Sequence, residues 1–325
     1  MKAVVCKKVG SYDGFKLEEI KTPVPGNDEI LVKIYASSVN YNSIFFTKGS
    51  IMARMAMASM IRSKDKIFGN DIAGKVISVG KNIRKFKAGD EVYGDLSGSG
   101  FGAFAEYVCV KEETIAKKPR NISFEEAAAI PEAGLVALQA LLLYKGYIKG
   151  KKVLICGASG GIGTFAVQIA KAYGAEVTGV CGSKNIEMVR SLGADKVIDY
   201  NRQDFIKMGE KYDFILATAG YRSIYDYRKS LKPQGIYIST GGNGKQIFQA
   251  ILLGPLISRK NGKRFQSFLV KTNKDLDLMR ELVEEGKVKP VIDKCYELSE
   301  IKEALKYYSK GHSRGKVVVS VKKEV

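Results

Sequence analysis

Residues 153–163 constrain this chain more than any other stretch. Val153-Leu154-Ile155-Cys156 reads as a buried apolar strand. It runs directly into Gly157-Ala158-Ser159-Gly160-Gly161-Ile162-Gly163, and an amphipathic pattern then continues through Gln168 to Tyr173. A strand, a glycine-rich turn and a helix in that order let a backbone bend sharply and approach a pyrophosphate. The helix start adds N–H groups without intrahelical partners and the positive end of the helix dipole. The spacing is GxxGxxG, a variant of the dinucleotide fingerprint, and its weight comes from its position between strand and helix. The same residues spell G-x-S-x-G, the elbow that exposes a nucleophilic serine in α/β-hydrolases, and chain order allows Ser159, then an aspartate, then His312. No HGGG-type oxyanion loop stands upstream, and the elbow has no need of Gly163, so the nucleotide reading is preferred.

The turn sits inside a long alternation. Strands are expected at 152–156, 176–180, 196–199, 213–217, 235–240 and 264–270, with helices at 162–173, 185–192, 223–230, 245–253 and 274–285. Such alternation builds βαβ units, and six strands of this kind fit a doubly wound parallel sheet. Ser123 followed by Glu126 is a capping box that starts a helix. Before it the texture is that of short strands, at 3–9, 29–39, 72–79 and 103–110, interrupted by a methionine- and alanine-rich run at 51–61 that suggests a short helix. After it the first texture returns, with a strand at 294–298, a helix at 299–308 and a strand at 316–321. The expected organisation is therefore a nucleotide-binding domain at 123–288 inserted into a discontinuous β-rich domain of 1–122 plus 289–325.

The tip of the second expected strand selects the nucleotide. NAD-binding folds usually place an acidic residue about 20 positions past the glycine motif, on the ribose hydroxyls. Here the strand ends Val180-Cys181-Gly182-Ser183-Lys184-Asn185, with no carboxylate. Ser183 and Lys184 suit a 2′-phosphate, so NADPH is expected over NADH.

Composition removes several alternatives. The single histidine excludes a three-histidine metal site within one chain, and the five cysteines show no CxxC spacing. An odd cysteine number, no apolar run long enough to span a bilayer and no leader-like N-terminus give a cytoplasmic expectation. The formal charge of +19, concentrated in part at 81–87, 259–264 and 322–323, attracts anions: nucleotides, CoA thioesters, RNA or an acidic membrane. No RNA-recognition or zinc-finger pattern accompanies it, so a solvated basic surface is the simpler reading.

Ordered blocks along the chain resemble the medium-chain dehydrogenase/reductase superfamily, in particular its zinc-free quinone oxidoreductases. They include Pro23-Val24-Pro25-Gly26, Ala36-Ser37-Ser38-Val39-Asn40, Gly69-Asn70-Asp71-Ile72-Ala73-Gly74, Phe86-Lys87-Ala88-Gly89-Asp90, the bridging segment Ile130-Pro131-Glu132-Ala133-Gly134 and the closing Gly311-His312-Ser313-Arg314-Gly315-Lys316. The last of these, with the block around Asp199-Tyr200, is similar to the group of the chloroplast-envelope quinone-oxidoreductase homologue. The resemblance implies a GroES-like catalytic domain around a Rossmann domain. It also implies zinc-independent hydride transfer to quinones or α,β-unsaturated ketones or aldehydes, with enoyl-thioester reduction and a non-catalytic NADPH- or RNA-binding protein as alternatives, and a homodimer. The zinc branch carries Gly-His-Glu where this chain has Gly69-Asn70-Asp71, and it needs clustered cysteines where 95–106 has none.

The resemblance further implies residue roles. Asn40 would lie near the nicotinamide, and Gly160, Gly161 and Ile162 would cover the pyrophosphate. Ser183, Lys184 and Tyr200 would surround the 2′-phosphate. Ala219, Gly220, Gly241, Gly242, Phe268, Leu269 and Val270 would line adenosine and nicotinamide, and Arg314 would approach the cofactor from the C-terminal loop. Tyr41 is a candidate donor to a substrate oxygen, with a buried core tyrosine as the competing reading. The chain departs from the family pattern at Ser43, where an aspartate is common, and at Val136, where a threonine is frequent.

Overall fold

The computed structural model describes residues 1–47, 55, 66–143, 148–241, 254, 262–268 and 270–321. The helices expected at 51–61 and 245–253 lie outside these residues, apart from the single position Met55. The chain forms two compact units. One comprises Met1–Leu135, Lys271–Glu284 and Pro290–Val325, the other Val136–Val270 and Glu285–Lys289, so the chain passes between them four times. Residues 123–135 and 271–284 thus make their contacts in the first unit, whereas the sequence reading placed all of 123–288 in the nucleotide-binding domain.

The first unit opens with a hairpin-like antiparallel pair, β1 (Lys2–Cys6) and β2 (Phe15–Glu19). Its main sheet has seven strands: β3 (Glu29–Val39), β4 (Asp71–Val79), β5 (Glu91–Asp95), β6 (Tyr107–Lys111), β7 (Ala116–Lys117), β14 (Ile292–Glu297) and β15 (Lys316–Ser320). The order is β14-β15-β3-β4-β5-β7, with β6 also paired to β3. Strand β3 organises it: residues 29–33 face β6, and residues 36–39 face β15. Ile30, Val32, Ile34, Ile72, Val92 and Val110 form one apolar cluster on this sheet, the alternation expected where one face meets a core. Val39, Val317 and Val319 join Phe68, Phe104, Ile301 and Leu305 in another. The unit also holds α1 (Tyr41–Thr47), α2 (Phe124–Ala128), α7 (Leu276–Glu284) and α8 (Ile301–Ser309), and α3 (Pro131–Leu142) starts in it. The capping box at α2 is formed in both directions: Glu126 N–H donates to Ser123 Oγ at 3.1 Å, and Ser123 N–H donates to Glu126 Oε2 at 3.0 Å.

Strand β6 starts four residues later than its sequence suggests. Gly100, Phe101 and Gly102 all have positive φ (105°, 65° and 120°), which holds the chain in a loop. Ala103 and Phe104 then donate back to Gly69 and Phe68 carbonyls, and Ala105 makes only an isolated bridge to Ala3.

The second unit is built on a six-stranded, wholly parallel sheet: β8 (Lys152–Cys156), β9 (Glu176–Cys181), β10 (Lys196–Asp199), β11 (Tyr212–Ala217), β12 (Leu231–Ser239) and β13 (Arg264–Ser267). The order β10-β9-β8-β11-β12-β13 is that of a doubly wound nucleotide-binding fold. Helices α4 (Gly161–Ala172), α5 (Ile186–Ser191) and α6 (Ile224–Ser230) supply crossovers. The central strands are buried on both faces, as parallel sheets require. Phe205, Tyr227, Tyr237 and Phe265 pack ring on ring in sequence, the first pair stacked and the next two tilted, with centroid separations of 5.8, 4.9 and 5.3 Å. Buried Gln168 of α4 brackets the returning segment: its Nε2 donates to the Lys289 carbonyl at 2.9 Å, and Lys289 N–H donates to its Oε1 at 2.8 Å. Among the described residues no helix is long and apolar enough to cross a membrane.

Candidate active site

Two groups of functional side chains are built, one in each unit. In the second unit the carboxyl ends of the parallel strands converge on the glycine turn. Gly157 and Ala158 N–H groups both donate to the Val180 carbonyl at 3.0 Å, tying the turn to β9. Thr218 and Ala219 N–H groups donate to the Cys156 carbonyl at 3.0 and 3.2 Å, and Gly220 N–H donates to the Gly241 carbonyl at 3.3 Å.

The glycines of the turn have different reasons to be glycine. Gly157 has φ +84°, and a Cβ there would lie 2.7 Å from Ala219 Cβ. A Cβ on Gly163 would lie 2.0 Å from the Gly157 carbonyl oxygen, so close packing of turn on helix dictates that residue. Gly160 is otherwise. It is the N-cap of α4 with φ −84° and ψ 177°, a conformation open to any residue, and a Cβ on it would meet nothing nearer than 3.5 Å. Nothing in the fold requires glycine at 160; its missing side chain leaves room in front of the first helical turn, where N–H groups have no intrahelical partners.

Gly160, Gly161, Ile162, Ala219, Gly220 and Gly241 are thus brought to one edge of the sheet. Phe268 and Val270 follow the carboxyl end of β13 and are partly buried, while Gly242 and Leu269 lie outside the described residues. At the β9 tip Ser183 and Lys184 are exposed, and Tyr200 leans over Gly182: a Cβ on that glycine would stand 3.0 Å from the Tyr200 hydroxyl oxygen. Tyr200 also meets Tyr221 at 5.9 Å between centroids, and the Arg222 guanidinium lies 5.3 Å from the Tyr221 ring centroid.

One reading of this tip needs correction. The strand itself carries no carboxylate, but its neighbour delivers one. In the β9–β10 register Asp199 lies beside Cys181, and the Ser183 hydroxyl donates to Asp199 Oδ2 at 2.6 Å. The carboxylate at this tip comes from the neighbouring strand, 16 residues further on.

In the first unit a buried polar cluster gathers on the ends of β3, β4, β5 and β15 and the start of α3. Asn40, expected beside the nicotinamide, is its centre. Its Nδ2 donates to Asp71 Oδ2 at 2.8 Å, with Asn70 Oδ1 at 3.3 Å and Ser38 Oγ at 3.4 Å, while its Oδ1 accepts from Lys316 Nζ. Ser38 Oγ donates to Asp71 Oδ2 at 2.7 Å, and Lys316 Nζ is 3.5 Å from the same oxygen. Asn70 Nδ2 is shared among Asp71, Asp95 and Glu132 carboxylate oxygens at 3.1, 3.1 and 2.8 Å. Glu132 is partly exposed as a residue, yet its carboxyl is turned inward onto Asn70. Burial, reinforced by the charges of Asp71 and Asp95, pushes the Glu132 carboxyl up to about 8. Burial and the Asp71 charge raise Asp95 to about 6.

Asp71, Asp95, Glu132 and Lys316 received no role from the sequence. The available signal was a charge at the end of an apolar strand, Asp71 ahead of Ile72-Ala73 and Lys316 ahead of Val317-Val318-Val319. Tyr41 stands at the start of α1 and is 59% exposed, so the buried-core reading of this tyrosine is wrong. Ser43 is buried, and its hydroxyl has no hydrogen-bond partner among the described residues. Val136, where a threonine is frequent, is buried in α3. Arg314 is exposed and anchored through its backbone, whose N–H donates to Asp293 Oδ2 at 3.0 Å; His312 is exposed as well.

Residues 26–120 match the alcohol dehydrogenase GroES-like domain and residues 192–319 the zinc-binding dehydrogenase family. The chain is 35% identical over 321 residues to a chloroplast envelope quinone oxidoreductase homolog of Arabidopsis thaliana, covering 95% of each. It belongs to the medium-chain dehydrogenase/reductase superfamily, in its quinone-oxidoreductase-like branch. This oxidoreductase is also similar to a 2-methylene-furan-3-one reductase of Solanum lycopersicum, with 32% identity covering 98% of the chain and 79% of the relative. Among solved structures, the quinone oxidoreductase from Coxiella burnetii superposes with a TM-score of 0.84 at 29% identity, covering 99% of both chains. Family membership removes the hydrolase reading; Ser159 Oγ itself accepts from the Asn185 amide at 3.1 Å.

Proposed function

We propose that this oxidoreductase is an NADPH-dependent, zinc-independent reductase of quinones and α,β-unsaturated ketones or aldehydes. The open space over Gly160 carries the reading. Two glycines of the turn are demanded by the backbone, while the third leaves a cradle that a Cβ would fill, in front of a helix N-terminus. The residues fit the cofactor: first-turn N–H groups of α4 to hold a pyrophosphate, and Lys184, Tyr200 and exposed Arg202 around the ribose end. Bound there, the reduced dinucleotide supplies a hydride.

The remaining chemistry falls to side chains of the chain. Polarising a simple alcohol or carbonyl usually calls for a Lewis acid, whereas an activated C=C bond needs hydrogen-bond donors for its oxygen and a proton. Asn70 gives its amide hydrogens to carboxylates, and the Lys316 ammonium faces Asn40 and Asp71. The donor set there is that of a closed hydrogen-bond network and suits a role in holding Asn40 in one orientation. Tyr41, exposed beside it in sequence, is the side chain proposed to donate to the substrate oxygen. The names of the Arabidopsis, tomato and Coxiella proteins support the substrate class. A homodimer is proposed, with β13, at the edge of the six-stranded sheet, as the pairing strand.

The test is a titration of EDTA-treated protein followed by the fluorescence of the reduced nicotinamide; the chain has no tryptophan to interfere. NADPH is expected to bind more tightly than NADH and to be consumed with members of an enone and quinone panel. Binding of neither nucleotide, or binding without turnover on any member, would sink the proposal.

A further inference from the structure

The hydroxyl of Ser183 is already engaged. It has one proton, which it donates to Asp199 Oδ2 at 2.6 Å, and its oxygen accepts from Asn201 Nδ2 at 3.2 Å. The other Asp199 oxygen accepts the Asn201 backbone N–H at 3.0 Å, and Arg202 Nε lies 3.7 Å from Oδ2. The hydrogen bond from Ser183 holds Asp199 below the usual carboxylate range, so it is ionised at neutral pH. A 2′-phosphate has only acceptor oxygens and gains nothing from a hydroxyl whose proton points elsewhere; it is also repelled by the carboxylate behind it. A ribose 2′-hydroxyl can both donate and accept, and meets neither penalty.

We propose that Asp199 is a specificity-determining residue at the ribose end of the nucleotide site. It narrows the preference for NADPH over NADH by holding the Ser183 proton and by placing a negative charge one hydrogen bond behind Ser183. Lys184 and Arg202 act in the opposite sense from the rim. The inference rests on the dinucleotide reading of this edge.

Asp199→Asn is close to isosteric. Its amide oxygen can still accept the Asn201 N–H, and its NH2 can donate to Ser183 Oγ, which turns the hydroxyl proton outward. Nicotinamide-fluorescence titrations of wild type and variant, with thermal unfolding as a check on folding, should show NADPH binding about tenfold tighter and NADH nearly unchanged. Adding Ser183→Ala to Asp199→Asn should remove part of that gain. An unchanged NADPH-to-NADH ratio, or equal weakening of both in a folded variant, overturns the proposal and leaves Asp199 a turn-forming residue. Wild type that binds neither nucleotide overturns the dinucleotide reading and this inference with it.

Discussion

Lys316 is a charged side chain inside a valine strand, 2% exposed, and its neighbours explain why it is there. Three carboxyl groups, on Asp71, Asp95 and Glu132, meet around Asn70, and the Lys316 ammonium is set against the most buried of them. A buried pair of this kind adds little net stability over an apolar one, but removing one partner leaves the other charge stranded. Lys316→Met should therefore cost about 3–5 kcal/mol in urea unfolding, well beyond what the lost methylene contacts alone explain. A loss below about 1 kcal/mol would mean that the cluster is neutral and that Asn40 is not held by an ion pair.

At the scale of the element, the glycine turn and α4 separate folding from binding. Gly163→Ala forces a Cβ to within 2.0 Å of a carbonyl oxygen, so it should destabilise the unit by about 1–3 kcal/mol and weaken nucleotide binding as a consequence. Gly160→Ala meets nothing nearer than 3.5 Å and should leave the thermal midpoint in place while abolishing nucleotide binding. Equal effects of the two on stability would remove the distinction. The six parallel strands were legible because each is an apolar run bounded by turn residues, and the structure places every one within a few residues of its expected limits. What sequence did not disclose depends on pairing. Asp199 reaches Ser183 only through the β9–β10 register, and Lys316 reaches Asn40 only because β15 lies beside β3. A strand tip reads as free of carboxylates until its neighbour is known. Residues 103–105 misled in the other direction: the positive φ of residues 100–102 turns the chain just before them, and they pair back to Phe68, Gly69 and Ala3 instead of extending β6.

For the molecule as a whole, one carboxyl in each unit is shifted, and the two shifts have opposite signs. Folding raises Glu132 from 4.5 to about 8. The unfolded chain releases that proton first, so the stability it represents is complete below 4.5 and declines as pH rises through 8. In the other unit Lys196 and Lys152 flank Glu210 and lower it from 4.5 to about 2, so its contribution is present above 4.5 and lost as pH falls toward 2. Thermal midpoints should show wild type losing ground to Glu132→Gln between pH 5 and 8, and to Glu210→Gln only on the acid side. Parallel pH profiles for wild type and Glu132→Gln would contradict the first. The chain crosses between its units at 135/136, 270/271, 284/285 and 289/290, and Gln168 grips the short return at Lys289 from both sides. No single break in the gene yields either unit whole. A fragment ending at 270 would lack Lys289, the backbone partner that Gln168 of α4 holds on both sides.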